Sequence, residues 1–146
     1  MRKKLLIPFY RTARIRHLYL KKRMKEMGLS GNMNMILLKL SERDACSQDE
    51  LCGEVLADKA SVSRDCAGLE KTGLIETKTD PENRRKSLVS LTDKGEQAAA
   101  EIRKVNEAIA AVLLRGLSEE DRIFLTRCLD VMEANAAGLW AELERK

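Results

Sequence analysis

The fold is decided by residues 47–92, which read SQDELCGEVLADKASVSRDCAGLEKTGLIETKTDPENRRKSLVSLT. At the start of this stretch, Ser47 and Glu50 have the spacing of a capping box. In such a box the serine hydroxyl accepts a hydrogen bond from the N3 amide, and the glutamate accepts one from the N-cap amide. The pattern predicts a short helix from Gln48 to about Leu56.

A second helix is predicted to begin after Asp58, whose carboxylate can accept hydrogen bonds from the first free backbone amides. Val62, Cys66 and Leu69 recur at i, i+4 and i+7, which is the spacing of one buried helical stripe. Gly73 then predicts the end of this helix, because glycine readily adopts the left-handed C′ conformation. Two short helices joined by so brief a link indicate a helix-turn-helix.

The other face of the second helix carries small and polar side chains in its first two turns. These are Lys59, Ala60, Ser61, Ser63 and Arg64. Small side chains let a helix approach a groove closely, and serine and arginine donate hydrogen bonds to base edges and phosphates. The pattern is typical of a recognition helix, whose N-terminal residues contact the bases. We therefore predict that the lysine, both serines and the arginine bind DNA.

The rest of the stretch predicts a β-hairpin. Residues 74–79 form an alternating, β-branched run, residues 80–83 are the turn-forming sequence DPEN, and residues 87–91 form a second strand. Three consecutive cations lie at the tip or on the returning strand, namely Arg84, Arg85 and Lys86. A cationic hairpin directly after a recognition helix is typical of a wing. We predict that these three cations reach the minor groove or the phosphates of double-stranded DNA.

Several of these segments are similar to one known family. DPENRR at residues 80–85, followed by LVSLTDKG at residues 88–95, is similar to that family's wing signature. Residues 58–64 and 69–75 are similar to its recognition helix and to the entry to its wing. The chain thus resembles MarR-type winged-helix transcription regulators over essentially its whole length. The resemblance implies a mainly α fold with a small β-hairpin wing, in which dimerisation helices at both ends flank the winged helix-turn-helix.

The chain departs from that family's pattern at three positions. Asn83 stands where the family usually has aspartate, so the carboxylate that would hold Arg85 is missing. Leu56 replaces the usual glycine of the helix–helix turn. Gly68 lies inside the recognition helix, where glycine costs about 1 kcal/mol relative to alanine.

Composition and charge favour a helical protein with a polyanionic partner. The 146 residues are 34% charged and 3% aromatic, and the formal net charge is +4. The first 25 residues contain many basic side chains and no acid, whereas acids outnumber bases after Gly116. A basic N-terminal segment combined with a basic wing favours nucleic acid as the partner.

A long amphipathic helix is predicted before the helix-turn-helix. It ends at Gly28 and has Pro8 in its first turn, where a missing amide costs little. Its apolar stripe, at four-three spacing, comprises Leu6, Tyr10, Ala13, His17, Leu20, Met24 and Met27. A core or interface helix is favoured over one that lies on a membrane surface. Ser30 or Asn32 then caps a further helix that continues through Leu40.

Two more apolar seams follow, on helices capped by Thr92 and Ser118. The first seam comprises Ala98, Ile102, Val105, Ile109 and Val112. The second comprises Leu125, Leu129, Met132, Ala136, Leu139 and Leu143. Together the two seams present more apolar surface than a small winged helix needs to cover its own core. They are therefore expected to pack against another chain.

The predicted organisation is a homodimer of one domain, residues 1–146. Residues 30–92 form the winged helix-turn-helix, and residues 1–28 and 93–146 supply the dimerisation helices.

Neither catalytic nor metal-binding constellations are evident in the sequence. His17 is the single histidine and lies on an apolar stripe, so a core or interface role is favoured over a ligand role. Zinc sites need three or four converging ligands, and neither a nucleophile elbow nor a phosphate loop is present. We predict that the protein is not an enzyme and binds neither a metal nor a cofactor.

Cysteine usage predicts a cytoplasmic protein with reduced thiols. Cys46, Cys52, Cys66 and Cys128 show no CxxC spacing, and no secretory signal precedes them. No apolar run approaches the roughly 20 residues that span a bilayer. Cys46 precedes a helix N-terminus, whose field can lower a thiol pKa. An inert Cys46 is nevertheless favoured over a redox sensor.

Many members of the resembled family bind small aromatic or phenolic molecules between the dimer helices and the winged helix. By that resemblance the ligand-binding candidates are Tyr10, His17, Tyr19, Met33 and Met35, with an ordinary core role as the alternative. The predicted function is a homodimeric repressor that binds a pseudo-palindromic operator and is released by such a ligand. The alternative is a winged-helix scaffold that binds proteins, which would leave Arg64 and the cations of the wing unexplained.

Overall fold

The computed structural model of the chain describes residues 2–144, with side chains for residues 7–143. Its elements are α1 (Arg2–Glu26), α2 (Met33–Leu40), α3 (Gln48–Val55), α4 (Lys59–Lys71), β1 (Ile75–Thr79), β2 (Ser87–Leu91), α5 (Asp93–Leu113) and α6 (Glu119–Glu144). The predicted, mainly α winged helix-turn-helix is confirmed. The side chains of Leu6, Arg2, Lys3 and Lys4 lie outside the described residues.

Side-chain caps begin both helices of the helix-turn-helix, as predicted. The Glu50 amide donates to the Ser47 hydroxyl over 3.2 Å, and the Ser47 amide donates to the Glu50 carboxylate over 2.7 Å. The Ser61 amide donates to the Asp58 carboxylate over 2.9 Å at the start of α4. Gly73 follows α4 with φ +74°, in the left-handed region. Local sequence chemistry therefore sets the boundaries of α3 and α4.

The hydrophobic core lies beneath the helix-turn-helix and the hairpin. Its largest fully buried side chains are Ile36, Leu37, Leu40, Leu51, Val62, Leu69, Val89 and Ile102. Burying a valine or leucine side chain fully contributes about 1.5–3 kcal/mol. Burial of Val62, Cys66 and Leu69 on one side of α4 therefore fixes its rotation and turns Ser63 and Arg64 to the exposed side.

The hairpin is joined to the segment that precedes α3. β1 pairs antiparallel with β2, and Thr77 lies opposite Val89. On its other edge Val89 exchanges backbone hydrogen bonds of 3.1 and 2.8 Å with Cys46. Because α3 begins two residues after Cys46, this bridge fixes the wing next to the start of α3.

Two expectations for the N-terminal third of the chain need correction. Pro8 lies inside α1 rather than in its first turn, so the helix loses one backbone hydrogen bond there. Asn32 precedes α2, but its side chain makes no capping bond.

Of the predicted α1 stripe, Leu20 and Met24 are buried, whereas Tyr10 is 67% exposed.

The chain divides into two compact units, Met1–Ile109 and Ala110–Lys146. In the second unit the Ser118 hydroxyl accepts from the Asp121 amide over 3.1 Å, so the predicted cap of α6 is confirmed. Most large apolar side chains of α6 stand exposed, among them Ile123, Phe124, Leu129, Leu139 and Leu143. None of the described helices combines the length and hydropathy needed to cross a membrane.

Leu56, at the turn between α3 and α4, has φ +54° and is 56% exposed. A non-glycine residue in this left-handed region costs about 1–2 kcal/mol. We expect Leu56→Gly to raise the free energy of unfolding by up to about 1 kcal/mol, since the greater freedom of glycine in the unfolded chain offsets part of the relief. Leu56→Ala keeps the unfavourable φ and is the control. Equal urea midpoints for the two variants would contradict the explanation.

Candidate nucleic-acid interface

The exposed face of α4 presents an ordered chain of polar groups. Both Ser61 donors reach Asp58, the amide over 2.9 Å and the hydroxyl over 2.8 Å, and these bonds hold the pKa of Asp58 below its usual value. The Arg64 guanidinium donates to the Ser61 hydroxyl oxygen over 3.2 Å. Ser61 thus donates to the capping carboxylate and accepts from the arginine, which it orients. The side chains of Ser63 and Arg64 remain exposed.

Lys59 opens α4 and forms an ion pair with a residue of the preceding helix. Its Nζ lies 2.8 Å from Oδ1 of Asp49, and both side chains are about three-quarters exposed, 75% and 73%. The hydrogen bond from Lys59 lowers the pKa of Asp49 below its ordinary value, and the positive charge of Lys59 adds to the effect.

The wing is a hydrogen-bonded turn that carries exposed cations. The Asp80 amide donates to the Lys86 carbonyl over 2.9 Å, and the Glu82 amide donates to the Asp80 carboxylate over 2.9 Å. The Asn83 side-chain oxygen accepts from the Arg85 backbone amide over 3.1 Å. Asn83 therefore supports the turn through the backbone of Arg85. The cationic side chains of residues 84–86 are exposed.

A cleft of about 730 Å³ separates the start of α3 from the wing. It brings together three of the predicted site residues, Lys59, Arg85 and Lys86. Its acidic lining residues are Asp49, Glu50 and Asp80. Arg85 and Lys86 of the wing therefore share one polar surface with the first residue of α4. Ser61, Ser63, Arg64 and Arg84 do not line this cleft.

Asp65 is a positioning residue of α4 that sequence reasoning missed. Its carboxylate accepts from the Asn32 backbone amide over 2.8 Å and from the Asn32 side-chain amide over 3.0 Å. A Cβ at Gly31, whose φ is +56°, would lie 2.6 Å from the same carboxylate. Asp65 thus fixes α4 against the start of α2. In the sequence Asp65 is visible only as a polar residue next to Arg64. Its partner Asn32 lies 33 positions away, so no local pattern marks the contact.

Gly68 inside α4 lies against the side chain of Met33 from α2. A Cβ at this position would meet the terminal methyl group of Met33 at a distance of 2.5 Å. The absent side chain lets Met33 pack over the helix, although the flexible end of a methionine can move to admit a methyl group. The contact therefore offsets only part of the lower helix propensity of glycine.

The candidate effector residues lie on α1 and α2. Tyr10, Tyr19 and Met35 are 67%, 53% and 39% exposed, His17 is exposed, and Met33 is half-buried. Two further clefts are lined by other side chains. One of about 300 Å³ lies on α1 and includes Ile7, Pro8, Arg11, Thr12 and Ile15. The other, of about 400 Å³, lies between the residues that follow α1 and the start of α5, and includes Met27, Leu29, Leu74 and Ala98.

Two of the cysteines, Cys46 and Cys66, have the surroundings of unreactive thiols. Burial raises the pKa of Cys46 and raises that of Cys66 to about 11. Cys46 is 3% exposed, and its backbone is paired with Val89. Because the thiolate is the reactive form, these surroundings favour the inert role for Cys46 over the redox sensor.

The fold and this surface define a winged helix-turn-helix protein, and comparisons with known proteins agree. The profile of the MarR family matches residues 32–87. The chain is 32% identical over 108 residues to the HTH-type transcriptional regulator YdgJ of Bacillus subtilis, a match that covers 74% of this chain and 66% of YdgJ. It is 25% identical over 131 residues to the HTH-type transcriptional repressor IacR of Pseudomonas putida, covering 88% and 78% of the two chains.

Among solved structures, a MarR family transcriptional regulator from Listeria monocytogenes in complex with a 26mer DNA is 28% identical, with a TM-score of 0.87. That match covers 97% of this chain and 94% of the other. The chain belongs to the MarR family. It spans 66% of the length of YdgJ and 60% of the next curated relative.

Proposed function

We propose that this protein is a sequence-specific, DNA-binding transcription regulator. The observation that carries the proposal is the polar surface made by the exposed face of α4 and the adjacent wing. Ser63 and Arg64 supply donors for base edges, whereas Lys59 and the cations at residues 84–86 supply charge for phosphates or the minor groove. The solved relative in complex with DNA supports this assignment.

The proposed working form is a homodimer. Support comes from exposed apolar side chains on both terminal helices, because such large patches mark interaction surfaces. On α1 they are Ile7, Phe9, Tyr10, Ile15, Leu18 and Tyr19, and on α6 they are Ile123, Phe124, Leu125, Leu129, Val131, Met132, Leu139 and Leu143. In this proposal residues 1–28 and 93–146 dimerise, and residues 30–92 bind DNA. The two copies of the dimer then bind the two halves of a pseudo-palindromic operator.

The regulator is proposed to act as a repressor, the role that the name of its relative IacR gives to that protein. Its proposed location is the cytoplasm. A small aromatic or phenolic molecule is proposed to release it by changing the spacing of the two recognition helices. Tyr10, His17, Tyr19, Met33 and Met35 are the proposed contacts. The alternative, a protein-binding scaffold, gives no role to the cations of the wing.

The direct test of this function is genome-wide capture of DNA bound to the protein, followed by titration of the recovered sites. We expect palindromic sites with half-sites about one helical turn apart, bound about 1000-fold or more tightly than scrambled duplex. Equal affinity for recovered and scrambled duplexes would favour the scaffold.

Dimerisation is tested by placing a charge within the apolar face of α6. Leu139 is 66% exposed, and Leu139→Arg is expected to shift the protein from dimer to monomer in analytical ultracentrifugation. If folding and dimerisation are coupled, the unfolding midpoint of the wild type rises with protein concentration, and the variant loses this dependence. Ala137→Arg, on the side of α6 opposite Leu139, is the control. A wild type that sediments as a folded monomer at micromolar concentration would contradict the dimer.

A further inference from the structure

Lys59, the first residue of the recognition helix, is held in the free protein by a carboxylate from the preceding helix. Its Nζ lies 2.8 Å from Oδ1 of Asp49 in the first turn of α3. Both side chains are highly exposed, 75% and 73%. The pair therefore stands on the open surface that the proposed function assigns to DNA.

The other acids of the adjacent cleft have backbone partners. Glu50 accepts from the Ser47 amide over 2.7 Å and from its hydroxyl over 2.8 Å. Asp80 accepts from the Glu82 amide over 2.9 Å. Asp49 differs because its partner is the ammonium group of Lys59. An aspartate is ionised at neutral pH, and the bond to Lys59, together with the more distant charge of Lys86, lowers the pKa of Asp49 further.

A DNA phosphate that binds Lys59 competes with Asp49 for the ammonium group, which it either takes over or shares, since the group has three N–H donors. In both cases the phosphate gains less than it would from a free ammonium group, and the carboxylate stays near the phosphates. Because lysine is a point charge with no preferred plane of recognition, this competition lowers affinity for every duplex, whatever its sequence.

We propose that Asp49 is an affinity-limiting residue, which competes with DNA phosphate for Lys59 and thereby keeps non-specific DNA binding weak. This inference rests on the proposed function. It predicts that the protein binds DNA more tightly when Asp49 is neutral, and that most of the gain in affinity requires Lys59.

The test is a double-mutant cycle of wild type, Asp49→Asn, Lys59→Ala and the double variant, titrated with a mixed-sequence duplex. Phosphate contacts are independent of sequence, so no operator is needed. Asp49→Asn is expected to bind the duplex about two- to fivefold more tightly, because the free energy of an exposed ion pair corresponds to a factor of this size. The log–log salt dependence steepens by up to about one unit. Combined with Lys59→Ala, Asp49→Asn is expected to tighten binding clearly less, because only the repulsion between the carboxylate and the phosphates is then relieved.

Glu101→Gln is the matched control, since it removes the acid of an exposed pair on α5 in which Lys104 Nζ lies 2.7 Å from Glu101. Its affinity is expected to equal that of the wild type. Equal tightening by Asp49→Asn with and without Lys59 would overturn the inference, because loss of any negative charge would then suffice. Unchanged affinity in Asp49→Asn would also overturn it while leaving the proposed function in place. If the wild type binds no duplex at all, both this inference and the proposed function are contradicted.

Discussion

Gly95→Ala is expected to lower the free energy of unfolding by about 3 kcal/mol, the upper end of the usual range for overpacking. Gly95 lies in the first turn of α5, where a Cβ would overlap the backbone carbonyl of Leu74 and approach Leu91 Cδ2 to 3.0 Å. A backbone carbonyl cannot rotate away as a side chain can. The whole start of α5 would have to move.

Local hydrogen bonds oppose that movement. The Gly95 amide donates to the Thr92 hydroxyl oxygen over 3.1 Å, and this hydroxyl donates to the Gly73 carbonyl over 2.6 Å. The Thr92 amide donates to the Leu74 carbonyl over 3.2 Å. Moving α5 by enough to admit a methyl group would break this set of bonds at the junction of α4, the wing and α5.

The measurement for Gly95→Ala is urea unfolding at fixed protein concentration, followed by circular dichroism. Gly53→Ala in α3 is the control, because no heavy atom lies within 4 Å of the added Cβ. The free energy of unfolding of that control is expected to rise by up to about 1 kcal/mol, because alanine has a higher helix propensity than glycine. If Gly95→Ala unfolds at the wild-type midpoint, the close contact between α5 and Leu74 is wrong.

Sequence predicted those features whose cause is local. Ser47 with Glu50, Asp58 and Gly73 each act within four residues of the helix end they define, so their chemistry is visible in the one-dimensional pattern. The hairpin was predicted for the same reason, since turn residues separate two alternating runs. Fold and element order therefore followed from short-range rules.

Contacts between distant segments were not predictable in this way. Asp65 receives two hydrogen bonds from Asn32, and Asp49 neutralises Lys59, yet neither pair has a characteristic spacing. The interpretation of Pro8 failed for another reason, because α1 begins earlier than the apolar stripe suggested. A helix start without a capping residue leaves no local signal of its position.

Arg64→Ala is expected to weaken binding to the operator by about 1–3 kcal/mol, roughly 5- to 150-fold, and binding to scrambled duplex far less. The helix rotation set by the buried Val62 and Cys66 places Arg64 on the exposed face. Its bond to Ser61 orients the guanidinium before DNA arrives. A bidentate contact with guanine uses the planar fork of arginine, so Arg64→Lys is expected to recover little of the specificity.

Arg85→Ala is expected to have the opposite signature, because Arg85 lies on the wing beside Lys86 and the cleft. A phosphate or groove-floor contact carries little sequence information. Affinity for operator and scrambled duplex should therefore fall together, and the log–log salt dependence should flatten by about one unit. The comparison of the two arginines separates reading of the bases from attachment to the backbone.

Lys104→Ala on α5 removes one exposed cation outside the proposed surface and controls for net charge. Its operator affinity at moderate salt is expected to match the wild type. The informative quantity is the ratio of operator to scrambled affinity, which should collapse for Arg64→Ala and persist for Arg85→Ala. If both arginine variants bind the operator as tightly as the wild type, the polar surface of α4 and the wing is not used for DNA. The protein-binding scaffold then becomes the better explanation of the winged helix.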